Sequence, residues 1–502
     1  MRNHSRNISR AVLFLALIVV FVTAGARMDA VARQDDAAQQ DSQTPVSYYH
    51  QVRPILVQNC VGCHQPARPG GGLVATDAAS LAAGGESGSQ AIVPGDPEAS
   101  ELMMYITPYD GEAMMPKEKP PLSSADLEII RRWIAEGAKD DSPESGPTVD
   151  MANPPVYELP PVLTSVSFSP QGNLLAVSGY HEVLVHSLEG PAEEGSKIVG
   201  RLVGLSERIE SVAFSPDGKK IAAVGGSPAR FGEIQVWDVA KQELLVSTNI
   251  GFDTLYGASW SHDSKLIAFG CPDNTVRAID ATTGEQVLQQ GAHNDWPLDT
   301  VFSTDDTHLI SVGRDRTAKL TEVATQRFVD NITSITPGAL KGGLISVDIR
   351  PGQEAKENQI VFGGADGTPK LYRIHRVKKR VIGDDFNFIR AYEALPGRVY
   401  AVKFNSDGKW FLAGSSYDDP PDQVRLGEVR IYETETSKLI CRVNDPLPAI
   451  YGAAISPDGT AAAIVGFDGS VRLIDPKSGE ITRTFSAAPL HEGIAEANAE
   501  AQ

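Results

Sequence analysis

Cysteine is scarce in this chain: Cys60, Cys63, Cys271 and Cys441 are the only four in 502 residues. That is too few for the disulfide framework that staples small secreted folds. Positive charge is also in deficit, with 45 Lys and Arg against 64 Asp and Glu and a formal net charge of −19. A surface of that sign repels nucleic acid and anionic bilayers, so neither is expected as a partner, whereas a basic protein is. At 41% hydrophobic and 22% charged residues the composition is globular and not that of a bundle of membrane spans.

The N terminus is the exception. Arg2, Arg6 and Arg10 precede an uncharged run, Ala11 to Ala26, that ends in Ala24-Gly25-Ala26, the small-x-small form of a signal peptidase site. Residues 1–26 therefore read as a signal peptide and the protein as exported, to a periplasm. The alternative is an uncleaved membrane anchor, although 16 residues fall short of the roughly 20 that a spanning helix needs. Residues 27–45, polar and aperiodic, read as a flexible tether. A compact segment follows over 46–139, then a Pro-, Ser- and acid-rich linker over 140–154.

From 155 to 486 the sequence repeats. The unit is an apolar-alternating strand, a turn of the S-P-D-G type, a second strand, a Gly/Asp turn and a third strand, with 487–502 left as a disordered tail. Seven copies align on Phe168, Phe214, Trp260, Phe302, Ile349, Phe404 and Ile455, on average about 48 residues apart, near the roughly 40–50 of propeller repeats. Each unit is a small antiparallel sheet that buries both faces only by radial stacking. Third strands end in an apolar residue and an acid, as at Trp237-Asp238, Ile279-Asp280, Tyr432-Glu433 and Ile474-Asp475. In this the region resembles the WD-repeat β-propellers, and the resemblance implies that His293, Ser311 and Asp315 share a hydrogen-bond network in one repeat. Gly225 to Glu233 and Ser415 to Glu428 are extended turns, and His375 to Arg380, HRVKKR, is a basic run read as a solvated connector, with a docking patch as the alternative.

Cys60, Cys63 and His64 stand at C-x-x-C-H spacing. Structural zinc needs four ligands, and no second ligand pair lies nearby. Thiol exchange needs the motif to open a helix after a strand, whereas the residues before it look helical. Covalent haem needs a His immediately after the second Cys, so that the thiols bond the vinyls while the imidazole reaches the iron, and that requirement is met. Tyr49, Val52 and Leu56 form a helical stripe leading into the motif, with Pro54 delaying or kinking the helix. Downstream, Ser123 and Asp126 make an acidic capping box, Leu127, Ile130 and Ile134 a core stripe, and Gly137 a stop. For the sixth iron position Met115, before Pro116, is the leading candidate; Met114 is its rival and His50 an outsider. Met103 and Met104 fall in a helix and read as core filler.

The stretches VRPILVQNCVGCH, GGLVATD, AAGGESGSQAIVPGDPEASEL, AMMPK and LSSADLEIIRRWIAEGA together resemble the planctomycete-type cytochrome c domain over about 46–139. The resemblance implies one covalent haem c on Cys60 and Cys63, with iron held axially by His64 and Met115; Lys117 stands where that family's segment has a second proline. The expected architecture is a small all-α cytochrome c domain followed by an all-β, seven-bladed WD-repeat-like propeller. The expected function is single-electron transfer to or from a redox protein partner, with the propeller as protein-docking platform. The alternative is a haem-based redox or ligand sensor whose propeller mediates interaction. A propeller enzyme would need acids, bases or metal ligands converging at the channel, and none is visible in the linear repeats. Cys271 and Cys441 fall in different repeats and are expected as buried thiols.

Overall fold

The computed structural model describes residues 45–490 apart from 66–67, 118, 143–148, 335–339, 382 and 420–423. The signal segment, nearly all of the tether and the tail beyond 490 lie outside the described residues. Among the described residues no helix is long and apolar enough to cross a membrane. The chain divides into two compact units: residues up to Val52 with Ile92–Ser142, and Arg53–Ala91 with Pro143 onward. The segment 46–139 is thus shared between them.

Four short α-helices are present among the described residues: α1 (Arg53–Asn59), α2 (Ala78–Ala83), α3 (Glu101–Ile106) and α4 (Ser124–Ala135). In the smaller unit a π turn, Tyr48–Val52, precedes α3 and α4. The Val52 N–H donates to Ser47 O, five residues back, at 3.2 Å. That wider turn changes the phase of the apolar stripe, so Tyr48 rather than Tyr49 is buried beside Val52. Tyr48 packs on Trp133 of α4, ring centroids 5.3 Å apart. Ser123 caps α4 by accepting from the Asp126 N–H at 3.1 Å, and its hydroxyl donates to the Asp126 carboxylate at 2.7 Å. The buried face of α4 is Ile130, Trp133 and Ile134, with Leu127 half-buried. Trp133 is the member the sequence stripe left out.

In the larger unit α1 begins at Arg53, which places Pro54 in its first turn, where no N–H is needed. A two-residue ribbon pairs His64–Gln65 with Arg68–Pro69. The segment is therefore not wholly α. Pro66, Pro69 and Gly70–Gly72 exclude a continuing helix there.

The repeats form six antiparallel sheets, so this region is mostly β and propeller-like. Five sheets hold one repeat each. The first two repeats share a seven-stranded sheet, because one 18-residue strand, Lys197–Phe214, is both the last strand of the first and the first strand of the second. Each repeat has a fourth, outermost strand that the three-strand sequence unit lacked. Gln286–Gln290 and Arg327–Asn331 are of this kind; at most one of their residues is buried, so they carry almost no apolar alternation.

The S-P-D-G motif has a local cause. Ser215 Oγ accepts from the Lys220 N–H at 2.9 Å, Asp217 Oδ1 accepts from the Lys219 N–H at 3.0 Å, and Gly218 takes φ 72°. Ser456, Asp458 and Gly459 repeat the arrangement. Between repeats, side chains at the start of one repeat accept from the next first strand: Ser165 Oγ from Val212 N–H (3.0 Å), Ser211 Oγ from Ala258 N–H (3.1 Å) and Asp299 Oδ2 from Val347 N–H (2.9 Å). The first and last repeats share one core cluster, with Leu163, Val166 and Leu175 against Val465, Val471 and Leu473. The Leu163 N–H donates to Gly466 O at 2.9 Å. Ala487 and Ala488 are also buried in that cluster, so the chain stays ordered beyond 486, at least to the Leu490 bridge with Tyr157.

A register shift in the last repeat's first strand brings Ala449 O against Gly466, and a Cβ there would collide with it. Gly466→Ala is expected to cost about 2–3 kcal/mol, seen as a lower urea midpoint at unchanged m-value; an unchanged midpoint would contradict the packing.

Candidate haem site

The helix α1 runs directly into the motif. The Cys60 N–H donates to Leu56 O at 2.8 Å, continuing the helical pattern. The Cys60 carbonyl then accepts from both Cys63 N–H and His64 N–H, each at 3.1 Å. One further turn thus carries Cys60, Cys63 and His64 at i, i+3 and i+4, the spacing that shares a face. Cys60 is half-buried and Cys63 exposed, and neither is in a disulfide. His64 Nδ1 is buried and has no hydrogen-bond partner among the described residues. Gly70 lies against the ring, where a Cβ would come within 3.4 Å of Cε1. Among the described residues no three His, Cys, Asp or Glu side chains are gathered as a metal cage. The donor set is thus two accessible thiols and one packed imidazole, which suits covalent haem c: thioethers at Cys60 and Cys63, iron ligation at His64.

In the smaller unit Met115 is half-buried, and its N–H donates to Tyr105 O of α3 at 2.9 Å. Met114 is 54% exposed. Met103 is buried as core filler, but Met104 is 57% exposed, because the six-residue α3 turns only one side to the core. His50 is exposed.

The larger unit contains a cavity of about 870 Å³ lined by first-strand residues of all seven repeats, among them Ser165, Ser211, Ser259, Asp299, Ser346, Lys403 and Gly452. It gathers charged groups that are far apart in sequence and so were missed: Glu210, Asp299, Asp348 and Lys403. Burial pushes both Asp299 and Asp348 carboxyls up, against the opposing charge of Lys403. Lys403 Nζ lies 3.6 Å from Asp348 Oδ1, and Asp348 Oδ2 accepts from the Phe404 N–H at 2.7 Å. Asp299 and Asp348 are occupied in holding neighbouring strands together, whereas Glu210 pairs with Arg208 of its own strand.

The expected network of the fourth repeat is present: His293 Nε2 and Ser311 Oγ are 2.8 Å apart, and His293 Nδ1 is 3.1 Å from Asp315. Burial raises the Asp315 carboxyl, but the hydrogen bond and charge of His293, with the Asn294 N–H and the Thr317 hydroxyl, outweigh it and hold it at about 2. Two members of the basic run turn inward, Arg376 pairing with Asp330 and Asp384 and Arg380 with Asp330, while Val377, Lys378 and Lys379 stay exposed. That favours the connector over a docking patch. Cys271 is buried and Cys441 half-buried; burial lifts the thiols to about 12 and about 11.

The class of protein follows from comparison with known families. The model described as Planctomycete cytochrome C matches residues 60–119, and the WD domain, G-beta repeat, matches 388–419. These two matches agree with a cytochrome c domain joined to a WD-repeat protein. The WD match begins on Phe388–Ala391, the last strand of the fifth repeat's sheet, and ends in the second strand of the next. Similar curated proteins include Coronin-7 of Mus musculus, 29% identical over 37% of this chain and 20% of its own length. Periodic tryptophan protein 2 of Saccharomyces cerevisiae is 24% identical over 56% of this chain and 31% of its own length. Eukaryotic translation initiation factor 3 subunit I of Emericella nidulans is 31% identical over 31% of this chain and 47% of its own length. The chain thus spans about a fifth to a half of these relatives.

Proposed function

We propose that this chain is an exported, periplasmic c-type cytochrome that carries single electrons, and that its repeats form a seven-bladed propeller serving as protein-docking platform. The observation that carries the haem reading is the Cys60 carbonyl accepting from both Cys63 and His64, which presents two thiols and an imidazole on one turn. The haem supplies the one-electron chemistry. The chain's residues fix it through Cys60 and Cys63, ligate it through His64 and set its potential through Met115 as sixth ligand. Seven blades are supported by the seven repeats lining one cavity and by the core cluster common to first and last. Protein partners are supported by the WD match, and the net charge of −19 favours a basic redox protein, steered at low ionic strength. Membrane association arises only where the N-terminal segment stays uncleaved.

The test is spectroscopic. A six-coordinate low-spin haem with a methionine-to-iron charge-transfer band is expected, lost in Met115→Ala and kept in Met114→Ala. A high-spin, five-coordinate spectrum that shifts with carbon monoxide would replace electron transfer by sensing.

A further inference from the structure

The attachment turn rests on the second repeat, within the larger unit. Asn249, at the end of the outer strand Glu243–Asn249, donates from Nδ2 to Val57 O in α1. Gly62, between the two cysteines, faces Ser247 of the same strand so closely that a Cβ would lie 2.6 Å from Ser247 O. Behind Ser247 is a carboxylate with no exposed surface, Glu233. Ser247 Oγ donates to its Oε1, while Ser206 Oγ (2.6 Å) and Gln235 Nε2 (2.7 Å) donate to its Oε2. The direction of the Gln235 bond is fixed from the far end. Trp237 Nε1 can only donate, and it donates to Gln235 Oε1 at 2.9 Å, so the amide presents its NH₂ to Glu233. Glu233 therefore accepts from the Gln235 amide, and the two serine hydroxyls point at the same carboxylate. Its partners are two hydroxyls and an amide, none charged, so no cation neutralises it through these contacts, and a buried charge of that kind acts strongly on its surroundings.

We propose that Glu233, acting through Ser247, is a positioning and electrostatic residue of the haem site: it braces the attachment turn, and its negative charge favours ferric over ferrous iron, lowering the reduction potential. This rests on the haem reading above. The experiment is a redox titration of the full-length haem-loaded protein. Glu233→Gln, equal in shape but neutral, is expected to raise the midpoint potential with the low-spin spectrum retained, and Glu233→Asp to stay near the wild-type value. Gly62→Ala, which pushes the turn off Ser247, provides an independent rise should Glu233→Gln not fold. A wild type without covalent haem refutes the cytochrome reading and this role with it. A haem-loaded wild type whose potential ignores both Glu233→Gln and Gly62→Ala refutes the role of Glu233 alone.

Discussion

A protein carrying both Cys60→Ser and Cys63→Ser is expected to retain no covalently bound haem when produced in a host with haem-ligation machinery. Its intact mass should match the polypeptide, and acid-organic extraction should leave it colourless. The two thiols are the only groups on the turn able to form thioethers, since their neighbours within the motif are Val61, which is buried, and Gly62, which has no side chain. Each single substitution should leave one thioether and a partly extractable colour. His64→Ala keeps both sulfurs and so should keep the added mass while losing the low-spin spectrum, because the role proposed for the imidazole is to ligate iron and not to anchor the ring. Haem that resists extraction in the double variant would sink the assignment of the motif.

The second large effect is on stability in mild acid. His186, in the strand Tyr180–Ser187, has no exposed surface. Its ring lies 5.1 Å from that of Phe485, and Nδ1 is 2.9 Å from Ser196 Oγ. Burial, which penalises the imidazolium, lowers its pKa from 6.5 to about 4. Between these values the unfolded chain binds a proton that the folded chain refuses, so stability rises with pH across this window. The contribution is complete above the unfolded value near 6.5 and is lost as pH falls towards 4, amounting to about 3 kcal/mol. His186→Gln, which keeps a partner for Ser196 and has no titrating ring, should flatten this part of the stability profile in urea melts at pH 7.0, 5.5 and 4.5. Parallel losses in wild type and variant would place the acid sensitivity elsewhere. Asp315 acts lower: its pKa of about 2 sustains the His293 network above the ordinary carboxylate value of 3.8, and that support fades as pH falls towards 2.

Much of this was legible in the chain itself, and the exceptions share a cause. The repeats could be read because Ser215, Asp217 and their equivalents close their turns through neighbours in sequence. The fourth strands could not, because strands such as Gln286–Gln290 bury a single residue and leave no period to detect. The stripe before the motif was legible in kind and wrong in phase, since one π turn exchanged Tyr49 for Tyr48. Cys60, Cys63 and His64 were nominated by their spacing. Glu233, Ser247 and the acids of the cavity were not, because their partners are set by tertiary packing and not by sequence distance. The inward turn of Arg376 and Arg380 was hidden for the same reason: Asp330 lies more than 40 residues away.

The continuous strand Lys197–Phe214 has a mechanical consequence. Neither of the first two repeats can peel away without tearing a ladder that the other also uses, so under force or protease they should yield as one cooperative block, while the later repeats, joined by loops, offer seams between them. The shared block also contains Ser247 and Asn249, so the surface beneath the attachment turn belongs to the part of the repeat region least inclined to open.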